Sequence, residues 1–366
     1  MKPFVTVFAL AALLCGCGGA HHAAPGGGDT VTRAASLLTI VERPGWVEAS
    51  VADPWREGHV LARYALVADS AANTSVPDGY TLVRVPLRRS IVYSSIHTAA
   101  IDELGAAGAI AAVADGDWLS DSDPVKARIA AGDVADLGPS MSPSVEMAVG
   151  LEPDAILLSP YESGGRGGIE RAGAPLVEMA DYMEPTPHGR AEWLLLMGYL
   201  YGVPGRARGI CDSVAARYDS IAAAVARSER PRPRVLTERP QSGVWYVPAG
   251  GSYMARLIAD AGGDYAWADE PGSGSLALDA AAVLDRAADA DYWLLKEYGG
   301  ISEAALASAV PLARGLNAYP RGVRVCDTRA TGLYLDQAFH PDRVLSDMAA
   351  VFAGADSTIY FRPLAR

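Results

Sequence analysis

The 366-residue sequence has no excess of basic side chains. Its 31 lysines and arginines are outnumbered by 43 aspartates and glutamates, which gives a formal net charge of −12. Because binding to nucleic acid or to an anionic membrane surface requires a basic face, the sequence argues against both kinds of partner. It also contains no G-x-S-x-G, no Walker loop and no H-E-x-x-H, and its carboxylates are scattered rather than paired. These absences disfavour a nucleic-acid-binding protein and an enzyme.

The N-terminus has the pattern of an export signal. In residues 1–17, Lys2 precedes an apolar run that is too short for a membrane-spanning helix of about 20 residues. The stretch L-C-G-C at its end resembles a bacterial lipoprotein box, in which Cys17 becomes the lipidated first residue. A plain secretory signal followed by an ordinary cysteine is the alternative. Residues 18–35 are rich in Gly and Ala, and we predict that they form a flexible tether.

Beyond this region the sequence has only two cysteines, Cys211 and Cys326. An exported protein can form a disulfide, but the sequence alone leaves open whether these two residues pair.

Two structural patterns follow along the chain. Residues 36–85 contain short runs rich in β-branched residues, LLTIVE, VLARYALVAD and TLVRVPL, which predict a small β layer. From Ser90 onwards, buried strands alternate with helices, beginning with SIVYSS, IHTAAIDELGAAG and AIAAVAD. This alternation predicts βαβ units and a parallel sheet covered on both faces. In SPSVEMAVGLEPDAILLSP we predict that Ser142 caps the helix, that Pro143 lies in its first turn, and that Ala155–Leu158 form the strand.

The second half of the chain repeats this pattern after a helical segment. Residues 188–230 have no strand signal: HGRAEWLLLMGYLYG is typical of one helix, and a longer helix begins at Pro204 and ends before Pro231. Beyond it, VWYVP and the helix in GGSYMARLIADAGG match IVYSS and the helix that follows it. The sequence therefore predicts two similar α/β lobes, residues 36–187 (with the β extension) and 231–366, joined by a single long connecting helix.

These features resemble the class III substrate-binding proteins of ABC importers, in the branch that binds iron chelates and cobalamin. The resemblance covers residues 86–366. It rests on the lipoprotein signal, on two Rossmann-like lobes with one connecting helix, and on the motif E-x-x-x-x-L-x-P-D-A-I. The stretches DYMEPTPHGRAEW, VWYVPAGGSYMARLIADAGGDYAW and LYLDQAFHPDRVLSDM are also similar to one lipoprotein branch of that group.

The resemblance implies that one acidic residue on each lobe docks against basic residues of the transporter's membrane subunits. Glu146 lies at the first-lobe position. Ala281 stands at the second-lobe position, where Asp279 is a nearby acid that can substitute. The alternative for Glu146 is a carboxylate that only complements the N-terminus of its helix.

A ligand of an α/β sheet binds outside the carboxyl ends of the strands, where the loops converge. These loops and the adjoining helices give a candidate lining of twelve residues: Ser95, His97, Trp118, Tyr161, Tyr182, Arg190, Trp245, Tyr246, Ser252, Tyr253, Tyr298 and Tyr334. Tyr and Trp dominate this set, and their broad apolar faces with polar tips suit a bulky, flat ligand. Arg190 has a salt bridge to Glu192 or Glu184 as its alternative. One of Trp245 and Tyr246 must face the core, because they alternate on a strand.

The predicted function is capture of an iron chelate (siderophore or haem) or of cobalamin between the lobes, followed by delivery to the permease. Two alternatives stay open: a tetrapyrrole-modifying enzyme, and a free zinc or manganese site that draws on His97, His188, His340 and Asp336. We expect no resident cofactor or metal. We expect an exported, lipid-anchored monomer that faces the periplasm and reaches the membrane only through its N-terminal lipid.

Overall fold

The computed structural model describes residues 27–71, 74–162 and 165–365. The export signal, Cys17 and the first half of the predicted tether lie outside the described residues. The described chain forms an N-terminal sheet, two α/β lobes and a long helix between the lobes. This is the predicted fold class, a mixed α/β protein with two Rossmann-like lobes and a small N-terminal β extension.

The strands and helices alternate as the parallel-sheet pattern requires. The strands are β1 (Asp29–Thr30), β2 (Leu38–Arg43), β3 (Trp46–Ala52), β4 (Val60–Ala68), β5 (Thr81–Val85), β6 (Ser90–Val92), β7 (Ile110–Val113), β8 (Ala135–Asp136), β9 (Ala155–Leu158), β10 (Leu176–Glu178), β11 (Arg234–Thr237), β12 (Trp245–Pro248), β13 (Asp264–Tyr265), β14 (Ser275–Leu278), β15 (Tyr292–Glu297), β16 (Val323–Asp327) and β17 (Arg362–Pro363). The helices are α1 (Ser95–Glu103), α2 (Pro124–Ala130), α3 (Val145–Gly150), α4 (Pro187–Ala191), α5 (Trp193–Leu200), α6 (Pro204–Ala226), α7 (Tyr253–Asp260), α8 (Ala280–Ala287), α9 (Glu303–Ala309), α10 (Leu333–Phe339) and α11 (Pro341–Phe352).

The N-terminal sheet has the order β1-β2-β3-β4-β5, antiparallel except for the parallel pair β4 and β5. Two predictions about this region are corrected. Strand β3 was not predicted, although it lies at the centre of the sheet. Residues 27–35 are not a tether: Asp29 and Thr30 pair with β2, and the backbone amides of residues 33–35 donate to the carboxylate of Glu192 at 2.8–3.0 Å.

The sheet of the first lobe is entirely parallel, with the order β10-β9-β6-β7-β8. The predicted strand Ala155–Leu158 is confirmed as β9. The predicted cap of α3 is two residues early, because Ser142 belongs to a turn in which its amide donates to the carbonyl of Pro139. Ser144 is the cap, and its hydroxyl accepts a hydrogen bond from the amide of Met147.

The sheet of the second lobe has the order β13-β11-β15-β16-β17, and only β17 runs antiparallel. The predicted match of VWYVP with IVYSS is wrong. Strand β12 lies outside this sheet and pairs antiparallel with β14. The counterpart of β6 is β11, the first strand of its lobe. A strand pattern specifies an extended, half-buried segment but not its partner.

Helix α6 joins the two lobes and spans about 35 Å at 1.5 Å per residue. Its first half contributes Ala207 to the core of the first lobe, and its second half contributes Tyr218 to the core of the second. The helix predicted before it is divided at Glu192 into α4 and α5. Gly198 permits the close approach of α5 to α6, because a Cβ at that position would lie 2.5 Å from the Cβ of Ala207.

The N-terminal sheet is continuous with the first lobe. Ile40, Leu66 and Val83 of the sheet share one hydrophobic core with Ile101 of α1 and Trp193 of α5. Residues that belong to one apolar cluster exclude water together, so the sheet and the first lobe form one packed unit.

Candidate functional site

A cavity of about 400 Å³ lies in the first lobe, outside the carboxyl ends of the parallel strands. The loop after each of β6, β7, β8 and β9 contributes to its wall, as the general geometry of α/β sheets predicts. The N-terminal sheet closes one side. The lining residues are Trp55, Leu61, Tyr93, Ser94, Ser95, Ala114, Asp115, Trp118, Leu119, Ser140, Met141, Leu158, Ser159, Pro160, Tyr161, Gly165 and Arg166.

The loop after β7 is held in an unusual backbone conformation. Asp115 has φ +56°, in the left-handed region that non-glycine residues rarely adopt. Its amide donates to the carbonyl of Gly138 at 2.9 Å, and its carboxylate accepts from the amide of Ser140 at 3.0 Å. These bonds join the loop to the loop after β8. They fix the short 3₁₀ turn that carries Trp118.

Tyr93 lines the cavity. Its hydroxyl oxygen is buried and has no hydrogen-bond partner among the described residues. Burial, with the neighbouring charge of Asp115, raises the pKa of Tyr93 to about 12. The hydroxyl is therefore protonated at neutral pH, and it is buried next to the cavity.

A second cavity of about 390 Å³ lies between the lobes and shares Ser95 and Trp118 with the first. Its remaining lining residues are Ser120 from the first lobe and Gln241, Lys296, Glu297, Tyr298, Thr328, Thr331, Tyr334 and Leu335 from the second. Trp118 contacts Tyr298 across the gap, edge to face, with ring centroids 5.7 Å apart. The two cavities therefore form adjoining parts of one inter-lobe cleft.

Five of the twelve predicted binding residues line this cleft: Ser95, Trp118, Tyr161, Tyr298 and Tyr334. Trp118 is 69% exposed and Tyr161 is 60% exposed, which is unusual for large aromatic side chains in a folded protein. Tyr182 lies beside Tyr161, at 6.5 Å between ring centroids, and its hydroxyl donates to the carbonyl of Pro160 at 2.6 Å. The aromatic surface of the cleft thus comes from both lobes.

Three predicted binding residues belong to a buried cluster behind the cleft. Asp181 accepts a hydrogen bond from Arg190 at 3.4 Å and lies 2.8 Å from Nε2 of His97. The guanidinium of Arg190 lies over the ring of Tyr253, 5.2 Å from its centroid. All four are buried, so a ligand in the cleft does not reach His97, Arg190 or Tyr253 in this conformation. Both predicted carboxylate partners of Arg190 are instead occupied: Glu184 and Glu192 bind backbone amides of residues 33–37.

The remaining predicted residues also lie away from the cleft. Trp245 is buried against Trp293, with ring centroids 5.7 Å apart, so it is the member of the alternating pair that faces the core. Tyr246 points outward and is 49% exposed, but it lines neither cavity. Ser252 caps α7 through a hydrogen bond from the amide of Ala255.

The charged side chains that line the cleft are balanced in sign. Asp115 and Arg166 line the first cavity, and Lys296 and Glu297 line the second. Arg166 forms an ion pair with the buried carboxylate of Glu178. Burial lowers the pKa of Lys296, but the carboxylate of Glu238, 2.7 Å from its Nζ, outweighs the effect of burial and raises the pKa. Among the described lining residues, each cation therefore already has an anionic partner.

The histidines considered for a metal site lie in separate places. His97 contacts Asp181, His188 lies 2.9 Å from Asp219, and His340 lies 2.6 Å from Glu103. Within the described ranges, no three or more His, Cys, Asp or Glu side chains are grouped so that they can hold a metal ion.

Both residues predicted to dock on a permease are on the surface. Glu146 lies in the first turn of α3 and is exposed beside Met147 and Val149, which are also exposed. Asp279 caps α8, because its carboxylate accepts from the amide of Ala282 at 2.8 Å, and it also remains exposed.

The two cysteines of the described chain are not paired with each other. Cys211 lies on α6, half-buried against the core of the first lobe, and Cys326 lies on β16, in the core of the second. Over the described ranges, no helix has the length and apolarity needed to cross a membrane.

Sequence reasoning missed several lining residues. The pattern SIVYSS predicts that Tyr93 lies inside a strand, but β6 ends one residue before it. Asp115 and Met141 lie in the loops after β7 and β8, at the carboxyl ends of strands where ligands of α/β sheets bind. Trp55 had no local signal, since only the folded N-terminal sheet brings it to the first lobe.

The sequence and the fold match known proteins. The family model described as "Periplasmic binding protein" matches residues 91–315, which is more than half of the chain. An uncharacterized lipoprotein of Methanocaldococcus jannaschii is 26% identical over 236 residues, or 62% of this chain and 56% of the relative. The match thus spans little more than half the length of that curated relative.

Solved structures with the same fold agree with the family match. A periplasmic haem-binding protein from Pseudomonas aeruginosa has a TM-score of 0.57 and 17% identity, covering 76% of this chain and 99% of its own. An ABC-type Fe3+-hydroxamate transport protein from Saccharomonospora viridis has a TM-score of 0.56 and 19% identity, covering 74% and 94%. At these identities the likeness establishes the fold. With the sequence match to the family, it confirms the resemblance found in the sequence: the chain belongs to the periplasmic binding protein family.

Proposed function

We infer that this protein captures a metal chelate (haem, a ferric siderophore or cobalamin) in the cleft between its lobes and delivers it to the permease of an ABC importer. The observation that carries this inference is the aromatic surface of the cleft, formed by Trp118 and Tyr161 of the first lobe and by Tyr298 and Tyr334 of the second. Such faces bind flat or bulky ligands by apolar contact, while the hydroxyl groups at their edges supply hydrogen bonds.

The charge balance of the cleft restricts which ligands fit it. A polyanionic chelate needs cations that are free to pair with it. Arg166 and Lys296 are already engaged with Glu178 and Glu238. A ligand of low net charge, such as a neutral ferric hydroxamate or a corrinoid, fits this lining better than a ferric catecholate.

The proposed function requires no chemical step. The ligand enters between the lobes, where Trp118 and Tyr298 already touch. Because α6 packs into the cores of both lobes, its continuous helix limits closure to a small rotation. The loaded protein is then the form that the permease receives.

Docking and anchoring complete the proposed role. Glu146 with its exposed apolar neighbours offers a mixed charged and apolar patch on the first lobe, and Asp279 offers an exposed carboxylate on the second. Lipidation of Cys17 would hold the protein at the membrane next to its permease. A lipoprotein among the sequence relatives supports this anchoring.

The test is equilibrium binding of purified protein to haem, cyanocobalamin and a ferric hydroxamate, with the quenching of tryptophan fluorescence as the readout. One of these chelates should bind with a sub-micromolar Kd. Trp118→Ala should weaken that binding about tenfold, because it removes an aromatic face from both cavities. Tyr246→Ala is the matched control, since this exposed aromatic lines neither cavity, and it should leave the Kd unchanged.

Two results would count against this function. The first is that none of the three chelates binds. The second is that chelator-washed protein retains stoichiometric zinc, which would favour a free-metal site instead.

A further inference from the structure

One wall of the first cavity comes from the N-terminal sheet rather than from either lobe. Trp55 and Leu61 line this wall, opposite residues supplied by the loops after β6 to β9. Trp55 is half-buried and lies in the loop between β3 and β4, and Leu61 lies on β4. The cavity is therefore lined by the N-terminal sheet as well as by the first lobe, and the ligand contacts available in it do not come from the paired lobes alone.

The loop that carries Trp55 is held by its own hydrogen bonds. The carboxylate of Asp53 accepts from the amides of Trp55 and Arg56 at 3.0 and 3.1 Å, and from the Arg56 guanidinium at 2.8 Å. The amide of Asp53 donates to the carbonyl of His59 at 2.9 Å, which closes the loop. Asp53 is only 6% exposed, so water competes little for these bonds. Trp55 is thus presented on an ordered loop.

The sheet is also joined to the first lobe next to the cavity. Tyr64 of β4 is buried, and its hydroxyl accepts a hydrogen bond from the amide of Glu178 at 2.8 Å. Glu178 in turn pairs with Arg166, which lines the cavity. A contiguous set of contacts therefore fixes the position of the sheet relative to the cavity wall.

We propose that the N-terminal sheet is a specificity element of the binding site, in which Trp55 covers one apolar face of a flat chelate of low net charge. This proposal rests on the function inferred above and adds the part of the chain that selects the ligand. Four aromatic side chains, Trp55, Tyr93, Trp118 and Tyr161, then line the first cavity. An aromatic wall favours ligands that present a flat surface to it, since stacking requires a matching face.

The test compares the full-length protein with Trp55→Ala, Trp55→Phe and Trp46→Ala, by isothermal titration with whichever of haem, cyanocobalamin or ferric hydroxamate binds the wild type. Trp55→Ala should raise the Kd about tenfold, and Trp55→Phe should stay within about threefold because it keeps an aromatic face. Trp46→Ala is the control: Trp46 lies on the same sheet, packs against Tyr80 at 5.3 Å, and lines neither cavity. It should leave the Kd unchanged.

Hydrogen exchange of the wild type gives a second readout that needs no variant. Saturation with the chelate should slow exchange in residues 53–59 and leave residues 76–80 unchanged. If the wild type binds a chelate but Trp55→Ala binds equally well and residues 53–59 gain no protection, the proposal is overturned while the inferred function stands. If the wild type binds none of the chelates, both are overturned.

Discussion

Replacing Glu184 with glutamine tests how the N-terminal sheet is fastened to the rest of the protein. Glu184 is 1% exposed and accepts four hydrogen bonds: from the amide and hydroxyl of Ser36 at 3.0 and 2.8 Å, from the amide of Leu37 at 2.8 Å, and from the indole of Trp193 at 3.0 Å. Glutamine keeps one oxygen and therefore two of these bonds. With that oxygen toward Leu37 and Trp193, its NH₂ group faces Ser36. The Ser36 hydroxyl can turn and accept from the NH₂ group, but the Ser36 amide is left without an acceptor.

The magnitude follows from the unpaired Ser36 amide and from the lost charge of the remaining bonds. A hydrogen bond to a charged group contributes about 1.5–3 kcal/mol, and the lower desolvation cost of a neutral amide offsets part of the loss. We therefore expect Glu184→Gln to lower the free energy of unfolding by about 2–4 kcal/mol. Ser36→Ala removes only the hydroxyl donor and should cost about 1 kcal/mol.

The assay is urea unfolding followed by circular dichroism, combined with hydrogen exchange of residues 33–37. Glu184→Gln should shift the unfolding midpoint to lower urea and speed exchange in this segment, more than Ser36→Ala does. A loss below about 1 kcal/mol in Glu184→Gln, with unchanged exchange in residues 33–37, would refute the claim that Glu184 holds the sheet.

Three further predictions concern buried and half-buried groups. Asp181→Asn should lower the free energy of unfolding by about 3–5 kcal/mol, because the buried guanidinium of Arg190 loses its counter-charge. An unchanged free energy of unfolding in urea would contradict this. Burial raises the pKa of Glu103, but the hydrogen bond and charge of His340 outweigh it, so the pKa lies below the ordinary 4.5. The stability that Glu103 contributes is therefore complete above pH 4.5 and is lost as the pH falls through its lowered pKa. Glu103→Gln should reduce the loss of stability over this pH range, as measured by acid unfolding. Burial raises the pKa of Cys211 to about 12 and of Cys326 to about 11. Alkylation of the folded protein near neutral pH, read by peptide mass spectrometry, should therefore label neither, and rapid labelling of either would contradict the raised pKa values.

The regular parts of the fold were predictable because their signals are local. Strand β9 and helix α6 were found at nearly their observed limits, since an apolar run and a helical period are written in consecutive residues. The position of the cleft also followed from a general rule, because loops at the carboxyl ends of parallel strands meet at one edge of a sheet. Trp118 and Tyr161 were located in this way.

The remaining features depend on contacts between residues far apart in the sequence. Arg190 has carboxylates two and six residues away, but Glu192 and Glu184 are taken by backbone amides near residue 35, and Asp181 is the partner instead. Strand alternation required one of two aromatics to face the core but could not say that Trp245 was the one. Trp55 reaches the cavity only through the packing of the whole N-terminal sheet.

A crystal structure of the protein with the tightest-binding chelate of the panel will show whether the chelate binds between the lobes. We expect one chelate, chemically unchanged, in contact with Trp118 and enclosed by aromatic side chains of both lobes. A chelate bound elsewhere on the surface, or a cleft occupied only by a metal ion held by protein side chains, would contradict it.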